Sequence, residues 1–164
     1  MLEDTASALF GVEGLQITGV QAGPGGALEV WAVTDYPAAA ACPDCGTVSS
    51  RVHETVLARP RDVRRAGDAV DLRWVKFRRK GGNPECPRKT FTEWVPALPP
   101  RCRITARLRD QAAHEITERG IAPAEAARHA GVSWPAAHEA FAAAADPVLD
   151  QPAAPVAHLG LGST

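Results

Sequence analysis

The residues best suited to chemistry in this 164-residue chain are three cysteines. Cys42 and Cys45 are separated by Pro43 and Asp44 and followed by a glycine, a spacing that predicts a tight turn with both sulfurs aimed at one centre. Cys86 lies in a second turn-forming stretch and can supply a third thiolate. Because structural zinc takes four tetrahedral ligands, the pattern predicts a zinc site with one ligand unassigned.

The fourth ligand is missing from its expected place. A cysteine a few residues before Cys86 would complete the set, but residues 80–82 are Lys-Gly-Gly. His53 and Cys102 are the substitute ligands that the sequence offers. A redox pair is the alternative use of Cys42 and Cys45, but the thioredoxin-type strand and helix are not seen around them.

Charge is distributed unevenly, and a net charge of −1 conceals a basic middle. Residues 1–50 contain six acids and no lysine or arginine, whereas residues 51–103 contain fourteen lysines and arginines against six acids. This is the footprint of a phosphate-binding surface, although a solvated charged face would look the same. With no signal peptide or membrane-spanning segment in the pattern, we expect a cytoplasmic protein without a membrane partner, where paired cysteines favour a metal over a disulfide.

Alternating apolar and polar residues predict the strands that position the cysteines. The predicted strands lie at 15–20, 28–33, 52–57, 69–79 and 90–95. The first two flank a Gly-Pro-Gly-Gly turn and predict a hairpin, and a basic loop is predicted at 59–68. A strand pair with a cysteine turn at each end is the plan of a zinc ribbon, with Phe77, Phe91 and Trp94 as its predicted core.

Residues 121–141 carry the pattern of a helix-turn-helix. Pro123 suits the first turn of a helix, Gly131 supplies the turn, and Ser133 caps the next helix, predicted at 133–143. The N-terminal residues of that helix would lie at base edges in the major groove. The alternative is a module for packing or dimerisation, because this helix contains no lysine or arginine.

These patterns predict an α+β chain in which a small β-rich, zinc-ribbon-like domain precedes a three-helix helix-turn-helix domain. The predicted limits are 1–98 for the hairpin and ribbon, 99–146 for the helices, and 147–164 for a linker and a remnant strand. The predicted DNA contacts of the basic segment are Arg59, Arg61, Arg64, Arg65, Arg73, Lys76, Arg78, Arg79, Lys80, Arg88 and Lys89. Those of the second helix of the motif are Ser133, Trp134, Ala137 and His138.

The stretch CPDCG, followed by SSRVHE, RWVKFRRK and NPECPRKTFTEWVP, resembles the N-terminal zinc-binding region of bacterial insertion-sequence transposases of the ISL-three type. The resemblance extends over about residues 15–161. It implies a second turn of the form Cys-x4-Cys-Pro-Arg-Arg-x-Phe, in which Gly81 occupies the place of the first cysteine. It also implies an RNase H-like domain of the DDE superfamily, whose first catalytic aspartate would fall at Gly162.

We therefore expect the DNA-binding portion of a transposase, which recognises inverted repeats in double-stranded DNA and is not itself an enzyme, since the carboxylates that hold two catalytic metal ions are not found. Expected partners are DNA, a second copy, or full-length transposase. The alternative is an interaction module or truncated regulator that pairs with full-length transposase through its acidic N-terminal hairpin.

Overall fold

A computed structural model describes residues 5–150 of the chain. The predicted remnant strand, the Gly162 position and the part of the predicted linker after residue 150 lie outside these residues. The chain divides into two compact units, one ending at Gln111 and the other beginning at Ala112. The architecture is α+β, as predicted.

Five strands form one sheet in the first unit. They are β1 (Leu15–Ala22), β2 (Leu28–Thr34), β3 (Val52–Ala58), β4 (Val70–Lys80) and β5 (Thr90–Thr92). A short helix, α1 (Thr5–Phe10), precedes the sheet. The predicted hairpin is confirmed, since β1 and β2 pair antiparallel.

Strand β4 is the element that joins the hairpin to the ribbon. Its first half, Val70–Val75, pairs with β2 in parallel, whereas its last residues, Arg78–Lys80, pair antiparallel with β5. Strand β3 covers the other edge of β4. The predicted ribbon pair is confirmed, but the parallel pairing was not foreseen, because parallel strands require a long crossover that leaves no local signal.

The core of the sheet follows the predicted alternation. Val70, Leu72 and Trp74 of β4 are buried on the same face as Val30 and Ala32 of β2. A second, smaller apolar cluster consists of Cys42, Cys86 and Phe91. The cysteine turns therefore have an apolar centre of their own, which includes one of the three predicted core aromatics; Phe77 and Trp94 are only partly buried.

Three helices follow the sheet in the part of the chain up to residue 150: α2 (Ala106–Thr117), α3 (Pro123–Ala130) and α4 (Trp134–Leu149). The Thr105 hydroxyl accepts a hydrogen bond from the N–H of Leu108 and so caps the start of α2. Gly131 adopts a left-handed φ of 65° at the end of α3, a conformation that glycine reaches without a Cβ clash.

Small residues let α3 and α4 approach closely, with Ala126 and Ala127 buried on α3 and Ala137 and Ala140 buried on α4. Helix α4 extends beyond the predicted 133–143, because an alanine run continues it and Pro147 enters only in its last turn. The predicted domain limits remain predictions.

Candidate metal centre and nucleic-acid interface

Two turns bring three thiols together. In the first, the N–H of Gly46 donates to the carbonyl of Cys42 at 2.8 Å; in the second, the N–H of Cys86 donates to the carbonyl of Asn83 at 3.3 Å. The Sγ atoms of Cys42, Cys45 and Cys86 all lie within 4.8 Å of one another. The predicted grouping of these three cysteines is therefore present.

The three thiols differ in exposure. Cys42 and Cys86 are buried against Phe91, whereas Cys45 faces solvent. The pKa of Cys45 is lowered to about 7, chiefly by hydrogen bonds from Thr47. The pKa of Cys86 is raised: a backbone hydrogen bond from Arg88 acts to lower it, but burial and the two neighbouring thiols outweigh that effect.

The spacing of the sulfurs fits one metal ion. In a tetrahedral zinc–thiolate site with Zn–S bonds of about 2.3 Å, sulfurs lie roughly 3.8 Å apart, which is compatible with three sulfurs that all lie within 4.8 Å of one another. Thiolate sulfur is a soft ligand, which binds zinc in preference to hard cations such as magnesium or calcium. The three cysteines could therefore hold a metal ion, with zinc as the ion that their chemistry favours.

Neither predicted substitute belongs to this group of thiols. Cys102 instead lies 3.7 Å from Nη1 of Arg109, so its prediction as a metal ligand was wrong. His53 is exposed on β3 and is likewise not part of the group. A Cβ atom added at Gly81 would lie 2.7 Å from the carbonyl oxygen of Arg88, so a cysteine at that position would have to displace the backbone of the second turn.

Two of the predicted DNA-binding arginines are engaged inside the sheet. Arg79 forms an ion pair with Glu93, which is 3% exposed, and donates to the carbonyl of Ser49 at 3.0 Å. Arg73 contacts Glu29 at 2.7 Å and lies over the Trp31 ring. Their charges are already compensated, which makes them poor phosphate ligands.

Other predicted cations have weaker partners at the surface. Arg78 pairs with Glu54 at 3.1 Å, and Arg88 pairs with Asp44 at 2.7 Å, and both pairs are exposed.

Three further cations donate to backbone carbonyls: Arg64 to Gly67, Arg65 to Phe10, and Lys89 to Pro84 and Cys86. The backbone of Arg61 also forms hydrogen bonds: its N–H donates to the carbonyl of Arg103, and its carbonyl accepts from the N–H of Thr105. Within residues 5–150, the side chains of Arg59 and Lys80 are exposed without a hydrogen bond or ion pair.

A cleft of about 830 Å³, which we call the basic cleft, lies in the first unit between the sheet and residues 98–103. Arg59, Lys76, Arg88, Arg101 and Arg103 line it. Arg101 and Arg103 were not among the predicted DNA contacts. The available signal was that they flank Cys102 directly after two prolines.

The predicted recognition helix α4 presents an aromatic row to solvent. The Ser133 hydroxyl caps the helix by accepting from the N–H of Ala136, and the next residue, Trp134, is 52% exposed. Its ring stacks on His138 at 4.9 Å, and His138 makes an edge contact with Phe141. Ala137, predicted to contact bases, is instead fully buried, so that prediction was wrong.

A buried carboxylate links α2 to α3. Glu115 accepts from Nδ1 of His129 at 3.2 Å, and the other ring nitrogen of His129 lies 3.7 Å from Glu125. This contact holds α2 and α3, the two helices that precede α4, against each other.

No helix among residues 5–150 is long and apolar enough to cross a membrane.

Comparison with protein families gives a match to the helix-turn-helix domain of transposase family ISL3 over residues 93–145. Searches of the curated proteins and of the solved structures gave no match. The matched segment contains α2, α3 and the exposed face of α4. The sequence pattern and the family match therefore assign a DNA-binding role to the same helices. Residues 93–145 of this chain are therefore similar to the helix-turn-helix domain of transposase family ISL3.

Proposed function

We propose that this chain recognises the ends of a transposon by binding their inverted repeats as duplex DNA. The observation that carries the proposal is the family match to a helix-turn-helix whose α4 exposes Trp134 and His138 at its N-terminal end. In helix-turn-helix proteins the N-terminal residues of the second helix contact base edges. An exposed aromatic and an imidazole supply apolar contact and hydrogen-bonding capacity there.

The proposal includes zinc bound by Cys42, Cys45 and Cys86. The metal would hold the two turns of the ribbon together, with an exogenous ligand such as water in the fourth position. The ribbon is then a structural support, and the cations around it contact phosphates. Such contacts position a protein on DNA, whereas base contacts specify the site.

A second copy of the chain or full-length transposase is the protein partner that we propose, because helix-turn-helix proteins commonly bind two half-sites as dimers. The acidic hairpin is a weaker basis for such pairing. Glu29 of β2 is buried and already contacts Arg73 and the indole N–H of Trp31. We therefore favour DNA recognition over the interaction module as the primary role.

The test is selection of bound duplexes from a random library, followed by anisotropy titration of the enriched sequence and a scrambled duplex. His138→Ala should lower the preference for the enriched sequence by roughly ten-fold, a loss of about 1–3 kcal/mol of discrimination. His114→Ala is the matched control, since His114 is an exposed histidine on α2. Failure to enrich any sequence would reject the proposed recognition.

A further inference from the structure

The walls of the basic cleft come from segments distant in sequence. Strands β3 and β4 contribute Val56 and Lys76, the stretch after β5 contributes Trp94, and residues 98–103 form the opposite wall. At about 830 Å³ the cleft is within the size range of sites that enclose small ligands. It is therefore a concave site and not a flat charged face.

The charge of the cleft is strongly one-sided. Among its lining residues five are cations and one, Glu93, is a carboxylate. Glu93 is already bound by Arg79 and by the N–H of Phe77 at 3.0 Å. Of the cations, Arg88 is paired with Asp44, whereas the side chains of Arg101 and Arg103 have no hydrogen bond or ion pair to any residue between 5 and 150. One-sided charge between low-dielectric walls focuses the potential on an anion.

Lys76 is the cation placed farthest from solvent. Its ammonium lies 4.1 Å from the centre of the Trp74 ring, and burial lowers its pKa although Glu93 acts to raise it. Burial disfavours the charged form of a lysine, and a nearby negative charge favours it. An anion bound in the cleft would therefore stabilise the charged form of Lys76.

Backbone hydrogen bonds anchor the end of the segment 98–103, which carries Arg101 and Arg103. The N–H of Arg61 donates to the carbonyl of Arg103, and the N–H of Thr105 donates to the carbonyl of Arg61. Arg101 has a φ of +67°, a left-handed conformation that is uncommon for a non-glycine residue and is found preferentially at ligand sites. The loop therefore presents Arg101 and Arg103 in a preset arrangement.

We propose that the basic cleft seats the phosphodiester backbone of a DNA strand, with Arg59, Lys76, Arg101 and Arg103 as its phosphate ligands. The proposal rests on the proposed DNA-binding function and adds the place where the backbone enters the first unit. Trp94, partly exposed in the wall, offers a ring against which an unpaired base can stack. The strand can therefore come from a duplex or from a single-stranded end.

The test compares the double variant Arg101→Asn/Arg103→Gln with the double variant Arg51→Gln/Arg119→Gln, which removes the same charge outside the cleft. Asparagine tolerates the left-handed backbone at position 101. Each protein is titrated with the enriched duplex and with single-stranded DNA of the same length at several salt concentrations. Melting temperatures establish that both variants are folded.

We expect the cleft variant to flatten the dependence of log K on log salt by about 1.8 for duplex or about 1.4 for single strands, the equivalent of two lost phosphate contacts. The control variant should change the slope by less than half as much. The arm that shows its full expected change identifies the source of the strand. Equal slopes for the cleft and control variants overturn the inference, whereas a wild-type chain that does not bind the enriched duplex rejects the proposed function itself.

Discussion

At the residue scale, a substitution at Cys45 tests metal binding without disturbing the packing of the protein. It is the exposed member of the thiol group, so its side chain contributes little to the apolar cluster around Phe91. Cys45→Ser should lower zinc affinity on the order of 100-fold, because structural zinc binding is worth about 10–16 kcal/mol shared among its ligands. The measurement is competition of each protein with a chromophoric zinc chelator.

Cys102→Ser is the matched control for the thiol group. Cys102 lies outside that group, so its loss should leave zinc affinity unchanged. Equal affinities of wild type and Cys45→Ser would contradict the metal site. Gly81→Cys is a poor alternative test, because its Cβ would meet the carbonyl oxygen of Arg88.

Lys76 is expected to lower stability while it supports binding. Its folded-state pKa lies below the ordinary value of 10.5, so the unfolded chain binds more protons between those two values and stability rises with pH across that window. Lys76→Met keeps contact with Trp74 and removes the charge. The variant should unfold at a higher urea concentration near pH 7 and approach wild type near pH 10.

The same variant should bind DNA more weakly. Titration of the enriched duplex at one salt concentration would show this beside the gain in stability. A variant that loses stability at neutral pH, and shows no pH-dependent convergence with wild type, would contradict the described environment of Lys76.

At the scale of elements, neighbouring residues of β4 have opposite roles. Arg79 pairs with the buried Glu93, so Arg79→Ala leaves a buried carboxylate without its cation and should cost about 3–5 kcal/mol. Arg78 pairs with the exposed Glu54, so Arg78→Ala should cost no more than about 1 kcal/mol. Urea denaturation of the two variants provides the comparison, and similar losses would show that Arg79 is not a structural residue.

The N-cap of α4 is the corresponding test in the second unit. Ser133 is exposed and its hydroxyl accepts from the N–H of Ala136, so Ser133→Ala should lower the unfolding free energy by about 0.5–2 kcal/mol. Ser133→Asp should preserve the cap, since aspartate accepts the same hydrogen bond. Thermal denaturation followed by helical circular dichroism checks both, and equal melting of the two variants would contradict the cap.

At the scale of the whole molecule, affinity and specificity are expected to belong to different units. Between Ala112 and Asp150 there are two arginines and six carboxylates, whereas the basic cleft belongs to the unit that ends at Gln111. Variants in the cleft should therefore alter the salt dependence of binding with little change in sequence preference. His138→Ala should do the reverse, because a base contact adds little to the release of counterions.

The measurement for this division is the full set of salt titrations on the enriched and scrambled duplexes for both kinds of variant. A cleft variant that changes the preference between the two duplexes as strongly as His138→Ala would contradict it. The same result would indicate that the ribbon takes part in sequence recognition.

Features encoded by near neighbours could be predicted from the sequence. The Cys42-Pro43-Asp44-Cys45 turn, the β1–β2 hairpin and the turn at Gly131 followed by the cap at Ser133 depend on residues close together in the chain, and all are present. Their physical causes are alternation, glycine conformation and capping, which act over a few residues.

Tertiary structure alone decided which groups meet across long separations. The parallel register of β2 on β4 brings Glu29 to Arg73, and the path of the chain after β5 brings Glu93 to Arg79, so two predicted DNA ligands became internal ion pairs. The same packing excludes Cys102 from the thiol group and places it, with Arg101 and Arg103, in the basic cleft. A sequence shows that cations are abundant, but whether each one is neutralised depends on register and burial, which are set by the folded chain as a whole.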